Sequence, residues 1–144
     1  MIEVKGNLWT YPADVRVITT NGTVKKNGEC VMGRGCAKEA KDKFPELAYV
    51  LGGMIKNYGN HVQLIHNRLY SFPVKHNWYE KADLTLIERS ANELFNIVDP
   101  AYPNDEGHTI VLPRPGCGNG GLKWEDVKPV LEPILDDRFY VITF

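Results

Sequence analysis

The stretch that decides the fold is Val111-Leu112-Pro113-Arg114-Pro115-Gly116-Cys117-Gly118-Asn119-Gly120-Gly121-Leu122-Lys123-Trp124, in which an apolar strand signal runs into four glycines within six residues. Glycine backbones can turn several N–H groups toward one point, and the positive end of a following helix dipole attracts an anion to that point. A tight turn alone needs only one or two glycines. The pattern therefore favours a phosphate-binding loop, although it lacks the Lys-Ser/Thr pair of a P-loop.

The composition describes a chain of modest size and nearly neutral charge. Its 144 residues, 43% of them hydrophobic, suffice for one core and are too few for two, so we expect a single domain over residues 1–144. With a net charge of −1, the chain lacks the excess of basic residues that binds nucleic acid by neutralising its phosphates. Any contact with nucleic acid is therefore expected to be local. Because no apolar run approaches the length of a membrane span and no signal-peptide segment is present, we expect a cytoplasmic protein without membrane contact.

The chain has three cysteines, Cys30, Cys36 and Cys117. An odd number without CxxC spacing argues against a zinc site and against a disulfide framework, so we expect free thiols and no metal. Cys36 and Cys117 have no histidine beside them in sequence, which favours packing residues over nucleophiles. No cofactor is expected.

Strand and helix signals alternate along the chain. The predicted strands are 2–4, 15–18, 61–66, 69–72, 109–112 and 139–144, the third and fourth forming a hairpin around Asn67-Arg68. The predicted helices are 37–44, 47–55, 81–98 and 127–135, with a loop over 99–107 and Pro133 kinking or ending the last helix early. This alternation predicts an α/β fold, a three-layer α/β/α sandwich on a mixed, mostly parallel sheet.

Three polar or glycine-rich segments directly follow predicted strands. They are residues 19–22, which lead into Gly33 and Gly35, residues 73–78, and residues 116–121. Ligands of α/β folds bind at the carboxyl ends of the strands. We therefore expect the three segments to converge on one cleft.

Four separated motifs, taken in their order and spacing, resemble the macrodomain family of ADP-ribose-binding proteins over nearly the whole chain. They are Gly6-Asn7-Leu8, Ala13-Asp14-Val15 to Thr20-Asn21, Val31-Met32-Gly33-Arg34-Gly35-Cys36-Ala37, and Gly116 to Leu122 with Trp124. The resemblance implies a macrodomain-like sandwich whose two glycine-rich loops hold the diphosphate of ADP-ribose. It also implies the ligand-binding residues Asn7, Leu8, Thr20, Met32, Gly33, Gly35, Cys36, Pro115, Gly116, Cys117, Gly118, Asn119, Gly120, Gly121 and, stacking on adenine, Tyr140 or in its place Phe144.

A fifth segment, Phe72-Pro73-Val74-Lys75-His76-Asn77-Trp78, narrows the resemblance. It is similar to the branch that contains terminal ADP-ribose glycohydrolases and the antitoxins that strip ADP-ribose from thymidine in DNA. Their lysine is catalytic, which implies that Lys75 lies beside the anomeric carbon of the distal ribose and attacks it or stabilises charge there. Asn21 would orient that ribose. His76 is expected to be a partly exposed loop residue rather than a proton shuttle.

Two positions depart from the family pattern. Asn7 stands where most members carry an Asp that accepts a hydrogen bond from adenine, and an amide oxygen accepts that bond more weakly. Gly120 stands where the protein-directed glycohydrolases carry a catalytic Asp, so this position resembles the DNA-directed members. Capping or solvation is the role we expect for the nearby carboxylates, which are Glu80, Asp83, Glu125 and Asp126.

The resemblance therefore implies that the protein binds ADP-ribose or an ADP-ribosylated macromolecule and hydrolyses the ADP-ribosyl linkage to DNA thymidine or protein. We expect a monomer. Local contact with modified DNA follows from that substrate. Two alternatives stay open at this point. One is a phosphatase that acts on ADP-ribose 1″-phosphate in the same cleft, and the other is a reader module that binds ADP-ribose without turnover.

Overall fold

Six strands form one sheet. In the computed structural model, which describes all 144 residues, they are β1 (Ile2–Lys5), β2 (Val15–Asn21), β3 (Gln63–His66), β4 (Leu69–Lys75), β5 (Ile110–Pro113) and β6 (Phe139–Thr143). The strand order is β1-β6-β5-β2-β4-β3, and only the β3–β4 pair is antiparallel. The prediction of a mixed, mostly parallel sheet with a hairpin is confirmed.

Four α-helices accompany the sheet. They are α1 (Gly35–Lys43), α2 (Leu47–Tyr58), α3 (Leu84–Ala101) and α4 (Trp124–Leu131), and single 3₁₀ turns occur at Asn104–Glu106 and Gly118–Gly120. None of the helices has both the length and the apolar composition that a membrane crossing would require.

The helices lie on both faces of the sheet. Successive side chains of a strand point to opposite faces, so adjacent β2 residues join different hydrophobic clusters. Val17 packs in a cluster with Leu94 of α3 and Leu131 of α4, whereas Ile18 packs in another cluster with Leu51 of α2. The predicted three-layer α/β/α sandwich is confirmed.

Strands β2 and β4 each extend three residues beyond the predicted ends. Their parallel register pairs Thr19 with Phe72 and, after a register shift, brings Asn21 beside Lys75. The sequence pattern predicted turns here because threonine, asparagine and proline follow the apolar runs. That prediction was wrong because each strand supplies the hydrogen-bonding partner that keeps the other extended. The extension places the two residues side by side at the carboxyl end of the sheet.

The boundaries of α3 and α4 differ from the predicted ones by a few residues. Helix α3 begins after Asp83, whose carboxylate accepts a hydrogen bond from the backbone N–H of Thr85 at 2.9 Å. It continues through residues 99–101, which were wrongly predicted to be loop. Helix α4 already begins at Trp124 and ends at Leu131. The predicted early end before Pro133 is therefore confirmed.

Candidate active site

A cleft of about 1570 Å³ opens at the carboxyl ends of the parallel strands. Ligands bind at this end of an α/β sheet, and all three segments that were expected to converge contribute to the lining. The residues implied by the resemblance that line it are Asn7, Leu8, Thr20, Asn21, Met32, Gly33, Gly35, Cys36, Lys75, Gly116, Cys117, Gly118, Asn119, Gly120 and Gly121.

Two of the implied ligand-binding residues do not line the cleft. Pro115 is buried beneath the loop that it precedes. Tyr140 lies near the start of β6, far from the carboxyl end that borders the cleft, and its ring packs 6.1 Å from that of Tyr11. Phe144, which follows β6, lines the cleft instead and is 88% exposed. Of the two aromatic residues named for adenine, Phe144 is thus the one that lines the cleft, and stacking on adenine stays a prediction.

Residues 116–121, the glycine loop, present backbone donors to the cleft. The N–H groups of Gly118, Asn119 and Gly120 donate to no acceptor within the chain. Gly116, Gly118 and Gly121 have φ values of 76°, 70° and 79°, a left-handed conformation that a side chain disfavours. Three unpaired donors in one turn form a concavity suited to an anion.

The back of the glycine loop is closely packed. A Cβ added to Gly116 would lie 2.7 Å from Cδ1 of Ile87, and one added to Gly120 would lie 3.0 Å from Cβ of Ala82. The backbone N–H of Ala82 also donates to the Gly120 carbonyl at 2.9 Å. The loop is thereby fixed against α3, and position 120 leaves little room for the acid that related protein-directed enzymes carry.

Residues 31–37, the α1 loop, line the cleft on the side that faces the glycine loop. The backbone N–H groups of Gly35, Cys36 and Ala37 at the start of α1 have no acceptor within the chain. A Cβ added to Gly35 would lie 3.3 Å from Nδ2 of Asn119 in the glycine loop. The two loops therefore approach each other, with free donors on both sides of the gap.

Asn21 connects β2 to the α1 loop. Its Nδ2 donates to the carbonyl of Val31 at 2.9 Å, and its Oδ1 accepts from the backbone N–H of Thr23 at 3.0 Å. The side chain lines the cleft, but these bonds first of all hold the α1 loop in place. Contact with a ribose stays a prediction, for which the second N–H of the amide is available. The neighbouring Thr20 hydroxyl is buried without a hydrogen-bond partner.

Lys75 ends β4 and reaches across the mouth of the cleft. Its Nζ donates to the carbonyl of Asn119 at 3.3 Å and to that of Trp78 at 3.4 Å. An ammonium group has three donors, so one remains for a ligand. The bond to Asn119 places the amine next to the glycine loop, directly beside Gly120.

The side chains around Lys75 have structural partners. Nε2 of His76 lies 2.8 Å from Oδ2 of Asp83, and this hydrogen bond, together with that from Thr85, lowers the pKa of the Asp83 carboxyl. Glu80 accepts from Nδ2 of Asn77 at 2.9 Å. As expected, Asp83 acts as a cap and His76 belongs to an exposed loop.

The three cysteine thiols are buried or partly buried against the core. Burial raises the pKa of the Cys36 and Cys117 thiols and raises that of Cys30 to about 12. A thiol with a raised pKa is a poor nucleophile, and all three cysteines are free. Both predictions, free thiols and packing roles, are confirmed.

Asn7 shapes the turn that follows β1. Its Oδ1 accepts from the backbone N–H of Trp9 at 2.8 Å, and its carbonyl accepts from the N–H of Tyr11 at 2.9 Å. The bond from Asn7 to adenine stays a prediction. Trp9 lines the cleft as well, although the sequence analysis did not identify it. Its position directly after the Gly6-Asn7-Leu8 motif could have indicated that it lies at the cleft.

The lining of the cleft is more basic than the chain as a whole. Six of its side chains are cationic and two are anionic, whereas the chain carries a net charge of −1. The cations are Lys25, Arg34, Lys38, Lys75, Lys81 and Arg114. Lys38 is paired with Asp42 at 2.7 Å, and Arg114 lies 3.5 Å from Glu3. The other four have no carboxylate partner and favour a polyanionic ligand.

Known proteins resemble this chain in sequence and in fold, although no family model matches it. A DNA ADP-ribosyl glycohydrolase of Thermus aquaticus is 30% identical over 143 residues, covering 92% of this chain. The chain spans only 37% of that relative's length.

Among solved structures, the macrodomain of Thermus aquaticus DarG has a TM-score of 0.78 and 25% identity, covering 99% of this chain and 96% of that one. The macrodomain of Mycobacterium tuberculosis DarG has a TM-score of 0.76 and 26% identity, covering 98% and 95% of the two chains. Thermosipho africanus DarTG in complex with ADP-ribose has the same fold, with a TM-score of 0.71, 20% identity, and coverage of 98% and 41%. The motifs, the sheet and these matches over the full length of a domain show that the chain belongs to the macrodomain family.

Proposed function

We propose that this macrodomain binds ADP-ribose and hydrolyses the bond that links ADP-ribose to DNA. The observation that carries the proposal is the position of Lys75, which pairs with Asn21 in the sheet register and whose amine lies 3.3 Å from the Asn119 carbonyl in the glycine loop. The name of the Thermus aquaticus relative supports DNA as the carrier, and the ADP-ribose complex of the Thermosipho africanus protein supports the ligand.

The two loops suit a diphosphate. Free backbone donors face the gap from the glycine loop and from the start of α1, so the phosphate oxygens are bound by N–H groups on both sides. Trp9 and Phe144 border the cleft near the ends of β1 and β6 and offer aromatic surfaces to adenine. The distal ribose then lies toward Asn21 and Lys75, with the Thr20 hydroxyl free to bind it.

Lys75 supplies the chemistry in this arrangement. In the reaction the bond between the anomeric carbon and the base breaks, a water oxygen bonds to that carbon, and the base receives a proton. The lysine amine either attacks the anomeric carbon or places positive charge beside the leaving base, and both roles require it at this position. Gly120 contributes no carboxylate to share the task, so we expect a strong dependence on Lys75.

The substrate class is tested by incubating the protein in parallel with three compounds. They are a single-stranded DNA that is ADP-ribosylated on thymidine, a protein with glutamate-linked ADP-ribose, and ADP-ribose 1″-phosphate. We expect release of ADP-ribose from the DNA and loss of that activity in Lys75→Ala. Calorimetry on the variant checks that ADP-ribose still binds. Lys56→Ala, which removes an exposed lysine of α2 outside the cleft, is the control and should retain activity.

Three results would contradict the proposal. Full hydrolysis of the DNA conjugate by Lys75→Ala would remove the lysine from the mechanism. Phosphate release from ADP-ribose 1″-phosphate that survives the loss of Lys75 would indicate a phosphatase. Tight binding of ADP-ribose with all three compounds left intact would indicate a reader module.

A further inference from the structure

We propose that Trp78 and Tyr79, the aromatic pair, form a stacking platform for a base of single-stranded DNA next to the modified nucleotide. This inference rests on the proposed function, because it names the part of the DNA that the same site recognises. It adds a binding surface for DNA at the edge of the same cleft.

The aromatic pair is unusually exposed. Trp78 is 52% exposed and Tyr79 is 69% exposed, and both border the cleft. Their ring centroids are 5.8 Å apart with an interplanar angle of 87°, so one ring meets the other edge-on. Nothing in the chain covers the remaining ring surface, although rings of this size normally contribute to a core or an interface.

The loop that carries the pair is fixed by its backbone and by polar side chains. The backbone N–H of Trp78 donates to Oγ1 of Thr23 at 3.0 Å, and the N–H of Glu80 donates to the carbonyl of Asn77 at 3.1 Å. The indole and the phenol take no part in these bonds. The backbone that carries the rings is therefore held in place while the rings stay available, which lowers the entropy that binding would cost.

The position of the pair matches the path of the DNA. Lys75 donates to the carbonyl of Trp78, so the pair lies directly beside the amine that would meet the anomeric carbon. The DNA is attached at that carbon and must leave the cleft there. Lys25 and Lys81 line the same cleft and have no carboxylate partner, so they can neutralise neighbouring phosphates. Aromatic rings flanked by lysines are typical of single-strand binding sites.

A single strand fits the pair better than a duplex. Bases within a duplex are stacked on both faces, and exposing one costs unstacking energy. A flexible strand offers its base faces without that cost. We therefore expect the platform to accept bases with little regard to sequence.

The test compares two substrates and two ligands. The substrates are ADP-ribosylated thymidine without flanking nucleotides and the same nucleoside within a single-stranded oligonucleotide, and kcat and KM are measured for both. The ligands are an unmodified oligothymidylate and its duplex with oligoadenylate, whose binding is followed by fluorescence anisotropy. The variants are Trp78→Ala, Tyr79→Ala and the double variant. Tyr58→Ala is the matched control, because Tyr58 is equally exposed at 69% and lies outside the cleft.

We expect the ratio of kcat/KM for the oligonucleotide to that for the nucleoside to fall about 5- to 100-fold in the double variant, through KM. Oligothymidylate binding should weaken by a similar factor, and Tyr58→Ala should change neither quantity. An unchanged ratio and unchanged oligothymidylate binding would overturn the platform, as would binding of the duplex as tight as that of the single strand. If the wild type hydrolyses neither substrate, the proposed function fails. The binding measurements then still show whether the aromatic pair binds single-stranded DNA.

Discussion

The two sides of the cleft are built from different parts of the chain. The glycine loop presents backbone N–H groups, and its back is packed against Ile87 and Ala82. The ends of β2 and β4 instead present the side chains of Asn21 and Lys75, and the amine of Lys75 contacts only two carbonyl groups. In the proposed function, phosphate binding thus depends on a fixed backbone, whereas the chemistry depends on one side chain that the core does not need.

The two sides of the cleft should respond differently to substitution. A change in the glycine loop should alter stability together with ligand affinity, because the same backbone serves both. A change at Lys75 should alter the rate alone. Measuring rate and stability on one set of variants therefore tests whether the two sides are as independent as their construction indicates.

The largest effect is expected for Lys75. Lys75→Ala should lower kcat about 10²- to 10⁴-fold, the range for loss of a group that acts directly on the reacting bond. Its urea midpoint should match that of the wild type, because the side chain is only half-buried at the rim and belongs to neither hydrophobic cluster. Lys75→Arg keeps the positive charge and removes the amine nucleophile. Recovery of part of the rate in Lys75→Arg indicates charge stabilisation, and no recovery indicates attack by the amine.

A loss of stability in Lys75→Ala as large as that of a core variant would contradict the proposed separation. Activity should be measured as release of ADP-ribose from modified DNA at saturating substrate. Lys56→Ala again provides the control for loss of an exposed lysine.

The next largest effect is expected for Gly116→Ala. The new Cβ would lie 2.7 Å from Cδ1 of Ile87, at a φ of 76° that disfavours a side chain. Overpacking and backbone strain together should lower the free energy of unfolding by about 2–4 kcal/mol. Urea denaturation measures this loss, and calorimetry should show weaker binding of ADP-ribose.

Two glycine variants serve as controls for Gly116→Ala. Gly118 also has a positive φ, 70°, but a Cβ there meets nothing within 4 Å, so Gly118→Ala should lose only about 1–2 kcal/mol. A Cβ added to Gly33 would also meet nothing within 4 Å, and the φ of Gly33 is not positive. The free energy of unfolding of Gly33→Ala should therefore stay within about 0.5 kcal/mol of the wild-type value. Equal losses for Gly116→Ala and Gly118→Ala would show that packing against Ile87 does not fix the loop.

The sequence predicted the layers and the cleft because these depend on local patterns. Alternating apolar runs indicated the sheet, and four glycines after a strand indicated the anion-binding loop. The pairing of Asn21 with Lys75 could not be predicted, because it depends on the register between strands that are distant in sequence. The sequence could not choose between Tyr140 and Phe144 for a similar reason, because the choice depends on which part of the last strand borders the cleft.

The exposure of the aromatic pair is a second property that the sequence does not reveal. The motif around Lys75 includes Trp78, but exposure of a tryptophan cannot be deduced from its neighbours. Nor does a composition with net charge −1 reveal that unpaired cations collect at one cleft. Both properties arise only when segments that are far apart in sequence meet at the end of the sheet.

The two sides of the cleft meet at the start of α3. The N–H of Ala82 donates to Gly120 in the glycine loop, and the N–H of Asp83 donates to Val74 in β4, each at 2.9 Å. The carboxylate of Asp83 also holds His76, in the loop that follows Lys75. A variant that keeps the backbone bonds and removes only this charge separates the contribution of the Asp83 charge from that of the backbone.

Asp83→Asn is that variant, and it has the smallest expected effect. Asparagine still caps α3, so only the charge interaction with His76 and the helix start is lost, about 0.5–1 kcal/mol for an exposed group. Because folding lowers the pKa of Asp83, its charge stabilises the fold above the unfolded pKa of about 3.9, and the contribution disappears as the pH falls through the folded value. The wild type should therefore melt above Asp83→Asn at pH 7, and the difference between the two should shrink as the pH falls below the unfolded pKa. Asp105→Asn, at an exposed carboxylate outside the cleft, is the control and should leave the melting temperature unchanged at pH 7 and in acid. A difference for Asp83→Asn that persists undiminished in acid would mean that the charge is not its source.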